Sequence, residues 1–442
     1  MKKTLKMKRR IVSLFGFLSA LLLCFFITQN SYAREQLSEE QVKKRLDAFN
    51  KYTKTLSIIE QYYVDDENLS DLIDKSISGL LSNLDAHSAF LDEKAFADMK
   101  IQTKGEFGGL GITISMKDGA LTVIAPIEGT PADKAGIKAG DVIVKIDNQA
   151  TIDMKLDEAV SKMRGKPGTS VSITVLRKTA SKPIEIKLKR DTIKIESVYA
   201  KLVEDDDILY LRVTSFDQNV VDMASKYIKQ YPKAKGIVLD LRNNPGGLLN
   251  QAIGLTNLFV DSGVIVSQKG RIEAENQEFK AIANKKITDA ALVVLVNGGS
   301  ASASEIVSGA LQDLKRGIVL GENTFGKGSV QSVIPITEDK EAIKLTIARY
   351  YLPSGRTIQA VGVKPDIEVA AGKITVQDDG FGIKESDLNR HLQGELENTN
   401  KDKKEEKSDN KNIISKEQIN NDAQLKSAID TVKILNLTRD YK

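Results

Sequence analysis

One serine and one lysine in the second half of the chain have the types and the spacing for nucleophilic catalysis. Ser302 follows an apolar run of strand length, Ala291–Val296, and an Asn-Gly-Gly turn, and it precedes a segment with apolar residues at helical spacing. At such a turn, free backbone N–H groups and the positive end of the helix dipole can hold a developing oxyanion. The small residues of Gly299–Ser304 leave room for a substrate backbone. We therefore predict that Ser302 is a nucleophile.

A serine hydroxyl is a weak nucleophile and needs a base. The chain has two histidines, His87 and His391, and no local motif places either of them beside Ser302, although distance in sequence does not exclude it. Lys327 is the better candidate, because the glycines around it and Phe325 predict a tight turn against apolar surface. Burial there would disfavour the ammonium and lower the lysine pKa towards neutrality. A Ser-Lys dyad is a known variant of the catalytic triad.

Two further features could complete a catalytic site. Gln331 lies four residues after Lys327, and its amide could fix the amine by hydrogen bonding if the two side chains share a face. The segment Asp240–Gly247 reads DLRNNPGG and precedes a helical pattern, so that its two glycines could aim backbone N–H groups at a tetrahedral intermediate. The alternative is that the glycines only make the turn possible.

The stretch NGGSASASEI, followed by TFGKGSVQ with the lysine 25 positions after the serine, resembles the carboxyl-terminal processing (tail-specific) proteases. The resemblance covers roughly residues 55–395 and implies a serine endopeptidase. It implies a catalytic set at the matching positions: Ser302 as nucleophile, Lys327 as base, Gln331 as its support, and Ala303 with Gly246 or Gly247 as the oxyanion hole.

Residues 105–191 are predicted to form a small β-rich domain of five short strands rich in Val and Ile, with one helix near Lys155–Met163. The stretch GTPADKAGIKAGDVIVKIDN in particular resembles a PDZ domain. The resemblance assigns the carboxylate-binding loop to Gly109, Leu110, Gly111 and Ile112. Backbone N–H groups in such a loop can bind a terminal carboxylate while the strand edge accepts an extended peptide, and Leu110, Ile112 and the helix would form a nonpolar pocket. Arg164 resembles a position that couples PDZ occupancy to the active site.

The pattern of elements predicts a multidomain α/β chain. From residue 192 to 383 strands alternate with helices, which indicates an α/β core with a mixed sheet, because the last strands follow each other directly. Residues 34–104 are predicted to be mostly helical, and the resemblance implies that they serve either in assembly, as a homo-oligomer through the helical termini, or in packing on the core. Residues 384–442 combine a charged low-complexity run with a terminal helix that docks on the core or on a second subunit.

Residues 1–33 have the pattern of a secretory signal peptide, with six positive charges and no acid before the apolar run Ile11–Ile27. The alternative is an uncleaved anchor that keeps the protein on the inner membrane. Either way, the segment predicts export to the periplasm or cell envelope of a bacterium. The only cysteine, Cys24, lies in this run, so cleavage would leave no disulfides. Removing the six charges from the net +4 leaves −2, and nothing in that balance indicates a nucleic-acid partner.

The sequence therefore predicts an exported serine endopeptidase whose PDZ domain recognises the nonpolar C-terminal tails of protein substrates. No cofactor or metal is expected, because the chain lacks HExxH, CxxC, Walker and convincing dinucleotide-binding motifs. A second S-x-x-K pair, Ser408 and Lys411, lies in the charged run, where no apolar framework would desolvate the lysine. The alternative functions are an inactive PDZ-bearing adaptor and an envelope assembly factor.

Overall fold

The computed structural model describes residues 38–203, 207–338, 340–373 and 412–440. The expected signal peptide and most of the charged linker lie outside these described residues. The chain divides into two compact units, Met1–Asn83 and Leu84–Lys442. None of the described helices combines the length and the apolar character that crossing a membrane requires.

The described part of the first unit consists of two helices, α1 (Glu39–Tyr62) and α2 (Leu69–Ser82). Each begins at a side chain that caps its free N–H groups, Ser38 for α1 and Asn68 for α2. The predicted helical character is thus confirmed. No residue of α1 is buried, and apolar side chains such as that of Phe49 are exposed along it.

The second unit is built from helices and strands in mixed order. Its helices are α3 (Glu93–Lys104), α4 (Pro131–Lys134), α5 (Leu156–Met163), α6 (Val220–Gln230), α7 (Leu249–Asn257), α8 (Ala303–Asp313), α9 (Lys416–Asn420) and α10 (Ala423–Asp440). Its strands are β1 (Ala89–Leu91), β2 (Glu106–Gly109), β3 (Ile112–Lys117), β4 (Ala120–Pro126), β5 (Val142–Ile146), β6 (Gln149–Ala150), β7 (Ser170–Leu176), β8 (Ile184–Lys189), β9 (Asp191–Lys194), β10 (Val198–Val203), β11 (Ile208–Val213), β12 (Gly236–Asp240), β13 (Val264–Gly270), β14 (Gln277–Lys280), β15 (Ala291–Val296), β16 (Ile318–Gly321), β17 (Ser329–Thr337), β18 (Glu341–Tyr351), β19 (Ile367–Glu368) and β20 (Ile413–Ile414).

A small β-rich module occupies the middle of the chain. Strands β3, β4, β5, β7 and β8 form an antiparallel sheet, with β6 paired to β5, and this sheet packs with α5 around its own apolar core. Strands β2 and β9 pair at the two ends of the module, where the chain enters it and leaves it. The five strands and the helix that the sequence predicts are confirmed.

The central sheet has the strand order β19-β16-β15-β12-β11-β10-β20 and is parallel except for the pair β10–β11. Successive side chains of a strand point to opposite faces, so the buried strands of the central sheet contribute to two separate apolar cores, one on each face of the sheet. On β12, Ile237 and Leu239 pack on the face covered by α6, α7 and α8, whereas Val238 packs on the other face. A strand buried on both faces reads as a continuous apolar run, as in β15.

The late strands correct one expectation. Strands β17 and β18 do not extend the central sheet but form a second, antiparallel sheet with β1, β13 and β14. Adjacency in sequence predicted that β17 and β18 pair, which they do. It did not reveal that their buried side chains, Val330 and Tyr350, pack against the helical face of the central sheet. The α/β class with a mixed sheet is confirmed.

The last described segment docks on the core, one of its two expected positions. Strand β20 pairs with β10, and α10 lays Leu425, Ile429 and Val432 on the second face of the central sheet. Next to them, Asp422 accepts two hydrogen bonds from the guanidinium of Arg242, at 2.8 and 2.9 Å. The C-terminal segment therefore completes a core that begins more than 200 residues earlier in the chain.

Candidate active site

Ser302 lies at the sharp turn between β15 and α8, with φ 53° and ψ −109°. This backbone conformation is rarely adopted by a residue with a side chain, and holding it costs about 1–3 kcal/mol. Strain of this kind is characteristic of nucleophilic serines at strand-to-helix turns, where it exposes the hydroxyl at the top of the sheet. The prediction of a strand, a tight turn and a helix around Ser302 is confirmed in structure.

The other serines of the SASAS run hold the turn in place. Ser300 Oγ donates to the carbonyl oxygen of Leu241 at 2.8 Å, and Ser304 Oγ donates to the carbonyl oxygen of Asn244 at 2.9 Å. Both acceptors belong to the segment after β12, so these bonds join the serine turn to the glycine-containing turn. Ser302 is distinguished from these neighbours, because no such bond ties its hydroxyl to the glycine-containing turn in the described part of the chain.

Glu305 is a functional residue that our sequence reasoning missed. Its carboxylate is fully buried and accepts four hydrogen bonds. One oxygen accepts from Ser302 N and Lys327 N, both at 2.8 Å. The other accepts from Thr324 Oγ1 at 2.5 Å and Gly326 N at 2.7 Å. A single buried group thereby holds both the strained serine and the loop that carries the lysine.

A signal for Glu305 was present in the sequence. A glutamate three residues after a serine at a helix start is the capping-box pattern, in which the carboxylate bonds the N–H of the first residue. Ser302 and Glu305 fit that spacing. The pattern explains the bond to Ser302 N, but the bonds to the loop around Lys327 join segments about 20 residues apart and have no local signature.

Lys327 and Ser302 line one cleft of about 800 Å³. Burial lowers the pKa of the Lys327 ammonium from its ordinary value of 10.5, and the positive charge of Lys344 lowers the pKa further, against an opposing effect of Glu305. The desolvation has a different origin from the one expected. Phe325 does not cover the turn but is 63% exposed, so the cleft itself removes water from the lysine.

The cleft brings together the two residues predicted as nucleophile and base without an established hydrogen bond between them. Both residues give their backbone N–H groups to Glu305, and no side chain of the described residues accepts a hydrogen bond from Lys327 Nζ. Gln331 lines the same cleft, and its amide nitrogen donates to Ser329 Oγ at 2.8 Å and to Thr346 Oγ1 at 3.3 Å, rather than binding Lys327. The hydroxyl and the amine are both available to a substrate.

The two glycines of the second turn differ in their hydrogen bonds. Gly246 N donates to Asn244 Oδ1 at 2.9 Å, so this amide is already engaged. In the described part of the chain, Gly247 N and Ala303 N donate to nothing. A Cβ on Gly246 would lie 3.0 Å from Ala303 N, which places the glycine turn directly against the start of α8. Two unpaired amides beside a serine can stabilise an oxyanion.

The predicted PDZ loop lies between β2 and β3. Gly111 has φ 75°, and a Cβ there would lie 2.3 Å from the Thr130 side chain, so the position requires glycine. The amides of Leu110 and Gly111 have no acceptor among the described residues, as a carboxylate-binding loop needs. The Leu110 side chain is buried in the core of the module, with Ile112 packed against that core.

Arg164 connects this module to the helix that borders the cleft. It follows α5, donates to Asp98 Oδ1 at 2.8 Å, and places its guanidinium 4.9 Å from the centre of the Phe107 ring. Asp98 belongs to α3, and the next residue, Met99, lines the cleft with Ser302. The contact therefore forms a physical link between the module and the cleft that holds Ser302.

His391 lies outside the described residues, and His87 is not part of the lining of the cleft that holds Ser302. His87 instead borders a neighbouring cavity of about 640 Å³. Burial lowers the pKa of the His87 imidazole, and the charge of nearby Lys327 lowers it further. No group of three or more histidine, cysteine and acidic side chains suited to a metal ion occurs in the part of the chain that the structure describes.

A strained serine, a lysine of lowered pKa and two free amides in one cleft are the parts of a serine peptidase. Sequence similarity to known proteins supports the same class. Residues 207–369 match the model of peptidase family S41, and residues 108–188 match that of the PDZ domain. The chain is 41% identical over 391 residues to the carboxy-terminal-processing protease of Bartonella bacilliformis, covering 86% of this chain and 87% of that protein.

A second relative is the carboxy-terminal processing protease CtpA of Bacillus subtilis, 36% identical over 349 residues that cover 78% of this chain and 73% of that protein. Among solved structures, the photosystem II D1 C-terminal processing protease is 29% identical, with a TM-score of 0.42, covering 72% of this chain and 92% of that one. The chain belongs to the carboxy-terminal processing proteases of peptidase family S41. It is a serine-type peptidase with a PDZ domain, and its substrates are proteins.

Proposed function

We propose that this protein cleaves its substrates by a Ser-Lys acyl-enzyme mechanism. Neutral Lys327 accepts the proton of Ser302 while the hydroxyl oxygen attacks the scissile carbonyl. The ammonium then protonates the leaving amine, which departs as the new N-terminus. Water attacks the acyl-enzyme with Lys327 again as base, which releases the new C-terminus and restores Ser302. The observation that carries the proposal is the lowered pKa of a lysine in the cleft of a strained serine.

In the same mechanism we assign the oxyanion hole to Ala303 N and Gly247 N. Both amides lack an acceptor among the described residues, whereas Gly246 N is held by Asn244. Gly246 supports the site in another way, since a side chain there would collide with the serine turn. Gln331 supports the base, as the resemblance implies, from its place in the cleft.

We further propose that the PDZ domain, residues 105–191, captures nonpolar C-terminal tails. The free amides of Leu110 and Gly111 support binding of a terminal carboxylate in the loop Gly109–Ile112. The contact of Arg164 with α3 supports its role in coupling tail binding to the protease core of residues 192–383.

We also propose a location and a mode of assembly for the protein. We propose that residues 1–33 direct export to the periplasm or cell envelope, with an inner-membrane anchor as the form in which the segment is not cleaved. The exposed apolar side chains of α1, within residues 34–104, support self-association through this helix. We assign residues 384–442 to a charged linker followed by the C-terminal helix.

The mechanism is tested with the mature protein and a protein substrate that ends in nonpolar residues. Ser302→Ala and Lys327→Arg should both abolish cleavage, the second because a guanidinium does not lose its proton near neutral pH. Tail binding, measured by fluorescence anisotropy, should remain in both variants. Cleavage by Lys327→Arg at the wild-type rate would remove the lysine as base. Binding without cleavage in the wild-type protein would instead favour a PDZ adaptor.

A further inference from the structure

A β-bulge next to the cleft sets Gln331 opposite Thr346. Strands β17 and β18 pair Val330 with Ala348 and then Gln331 with Thr346, so that Ile347 is passed over. Bulges next to active sites commonly re-aim a side chain in this way. The N–H of Thr346 donates to Ser88 Oγ at 3.1 Å, so a turn far away in sequence fixes the bulged strand.

The same turn fixes the direction of the Thr346 hydroxyl. Thr346 Oγ1 lies 3.1 Å from Asp85 Oδ1, which also accepts the N–H groups of His87 and Ser88 at 2.7 and 2.9 Å. Asp85 Oδ2 accepts from Ser88 Oγ at 2.6 Å. These bonds, led by that of the Ser88 hydroxyl, lower the pKa of Asp85 to about 2. The ionised carboxylate only accepts, and the Thr346 hydroxyl must therefore donate to it.

A hydroxyl that donates to Asp85 has only lone pairs left for Gln331. The end of the Gln331 amide that faces Thr346 is accordingly the nitrogen, which donates to Thr346 Oγ1 at 3.3 Å and also to Ser329 Oγ at 2.8 Å. This leaves the amide oxygen as the free end. In the described residues no donor is bonded to that oxygen, and Lys327 lines the same cleft.

We propose that Asp85 and Thr346 are positioning residues that fix the Gln331 amide with its oxygen towards Lys327. This inference rests on the proposed Ser-Lys mechanism. In this orientation the Gln331 amide oxygen accepts a hydrogen bond from the Lys327 amine, so that the lone pair of the amine is directed to Ser302. A reversed amide would donate to that lone pair and block it. The relay from Asp85 through Thr346 to Gln331 selects the orientation that leaves the base active.

The test is the pH dependence of kcat and kcat/KM for Thr346→Val, which keeps the shape of the side chain but removes the hydroxyl, and for Thr346→Ser, which restores the hydroxyl. In Thr346→Val the Gln331 amide is free to reverse. We therefore expect the plateau of kcat to fall roughly tenfold, which is the effect of losing one well-placed hydrogen bond. The acid limb of its profile should move to lower pH, because an amide nitrogen beside the lysine disfavours the ammonium. Thr346→Ser should keep both the wild-type plateau and the wild-type limb.

Three results would overturn the relay: a valine variant with wild-type kinetics, a lower plateau without movement of the acid limb, or a serine variant as impaired as the valine variant. If Thr346→Val does not fold, the kinetics of Thr346→Ser and Ser329→Ala decide whether the relay exists. Ser329→Ala removes the second acceptor of the Gln331 nitrogen and should change the same limb by a smaller amount. Normal cleavage by Lys327→Arg would contradict the proposed Ser-Lys mechanism itself, which is a different result from a failure of the relay.

Discussion

Replacing Glu305 with glutamine should damage both stability and catalysis, because the carboxylate has four donors and no spare capacity. Each oxygen accepts two hydrogen bonds, one pair from Ser302 N and Lys327 N and the other from Thr324 Oγ1 and Gly326 N. If the NH₂ group of the new amide faces Ser302 N and Lys327 N, both N–H donors lose their acceptor. If it faces the other pair, Gly326 N loses its acceptor, whereas the Thr324 hydroxyl can turn and accept from the NH₂ group. At least one bond to a charged acceptor is then lost, at about 1.5–3 kcal/mol.

The expected loss of unfolding free energy in Glu305→Gln is therefore at least about 1.5–3 kcal/mol, measured by urea denaturation. A matched control is Glu278→Gln, which removes a carboxylate from an exposed ion pair with Lys280. An exposed pair contributes at most about 1 kcal/mol, so the control should unfold close to the wild-type midpoint.

Catalysis by Glu305→Gln should fall as well. The strained backbone conformation of Ser302 costs about 1–3 kcal/mol, and the Glu305 carboxylate stabilises it by accepting the Ser302 N–H. Under conditions where the variant is still folded, kcat should drop at least tenfold, measured by single-turnover cleavage of a tailed substrate. Unchanged stability together with unchanged kcat would refute the role assigned to Glu305. A stability loss with normal kcat would show that the serine turn does not depend on it.

Two further predictions concern contacts at the edges of the core. Arg164→Ala should lower kcat/KM several-fold for a protein with a nonpolar tail, while a short peptide without a tail is cleaved as before. Lys162→Ala, at the end of the preceding helix α5, serves as the control. Equal losses on both substrates would exclude coupling. Asp422→Asn should destabilise the protein by about 1.5–3 kcal/mol near neutral pH through the loss of its charged bonds to Arg242, seen as a lower urea midpoint. Burial raises the pKa of Asp422, but the hydrogen bonds and charge of Arg242 together with backbone N–H groups lower it by more, so that the net shift is downward. The stabilisation is therefore present above the ordinary value of 3.8 and is lost as the pH falls below it. A difference between variant and wild type that persists fully in acid would contradict this account.

The sequence predicted those parts of the molecule that local patterns determine. An apolar run at Ala291–Val296, a turn and a helical pattern are enough to place Ser302 at a strand-to-helix turn, and the structure has that turn. The five strands of the PDZ module follow from the same kind of pattern. Spacing within a family motif singled out Lys327, and the cleft that lowers its pKa is consistent with this choice.

What the sequence did not reveal depends on contacts between distant segments. The four bonds of Glu305, the engagement of Gly246 N by Asn244, and the relay from Asp85 to Thr346 each join groups whose positions only the tertiary fold defines. Phe325 illustrates the opposite error, since an aromatic residue beside the glycines that flank Lys327 indicated an apolar cover for the turn, but its side chain is exposed. The separate sheet of β17 and β18 likewise follows from which surfaces remain to be covered, and the same holds for the choice of α10 between the core and a second subunit.

The most direct test of the account is the pKa of the Lys327 side chain in the folded protein, measured by the pH dependence of its acetylation with trace acetic anhydride and mass spectrometry. The account predicts a pKa below the ordinary 10.5 that coincides with the acid limb of kcat/KM, so that cleavage rises with pH as the amine loses its proton. A Lys327 pKa at its ordinary value, or a limb that remains in Lys327→Arg, would contradict the account.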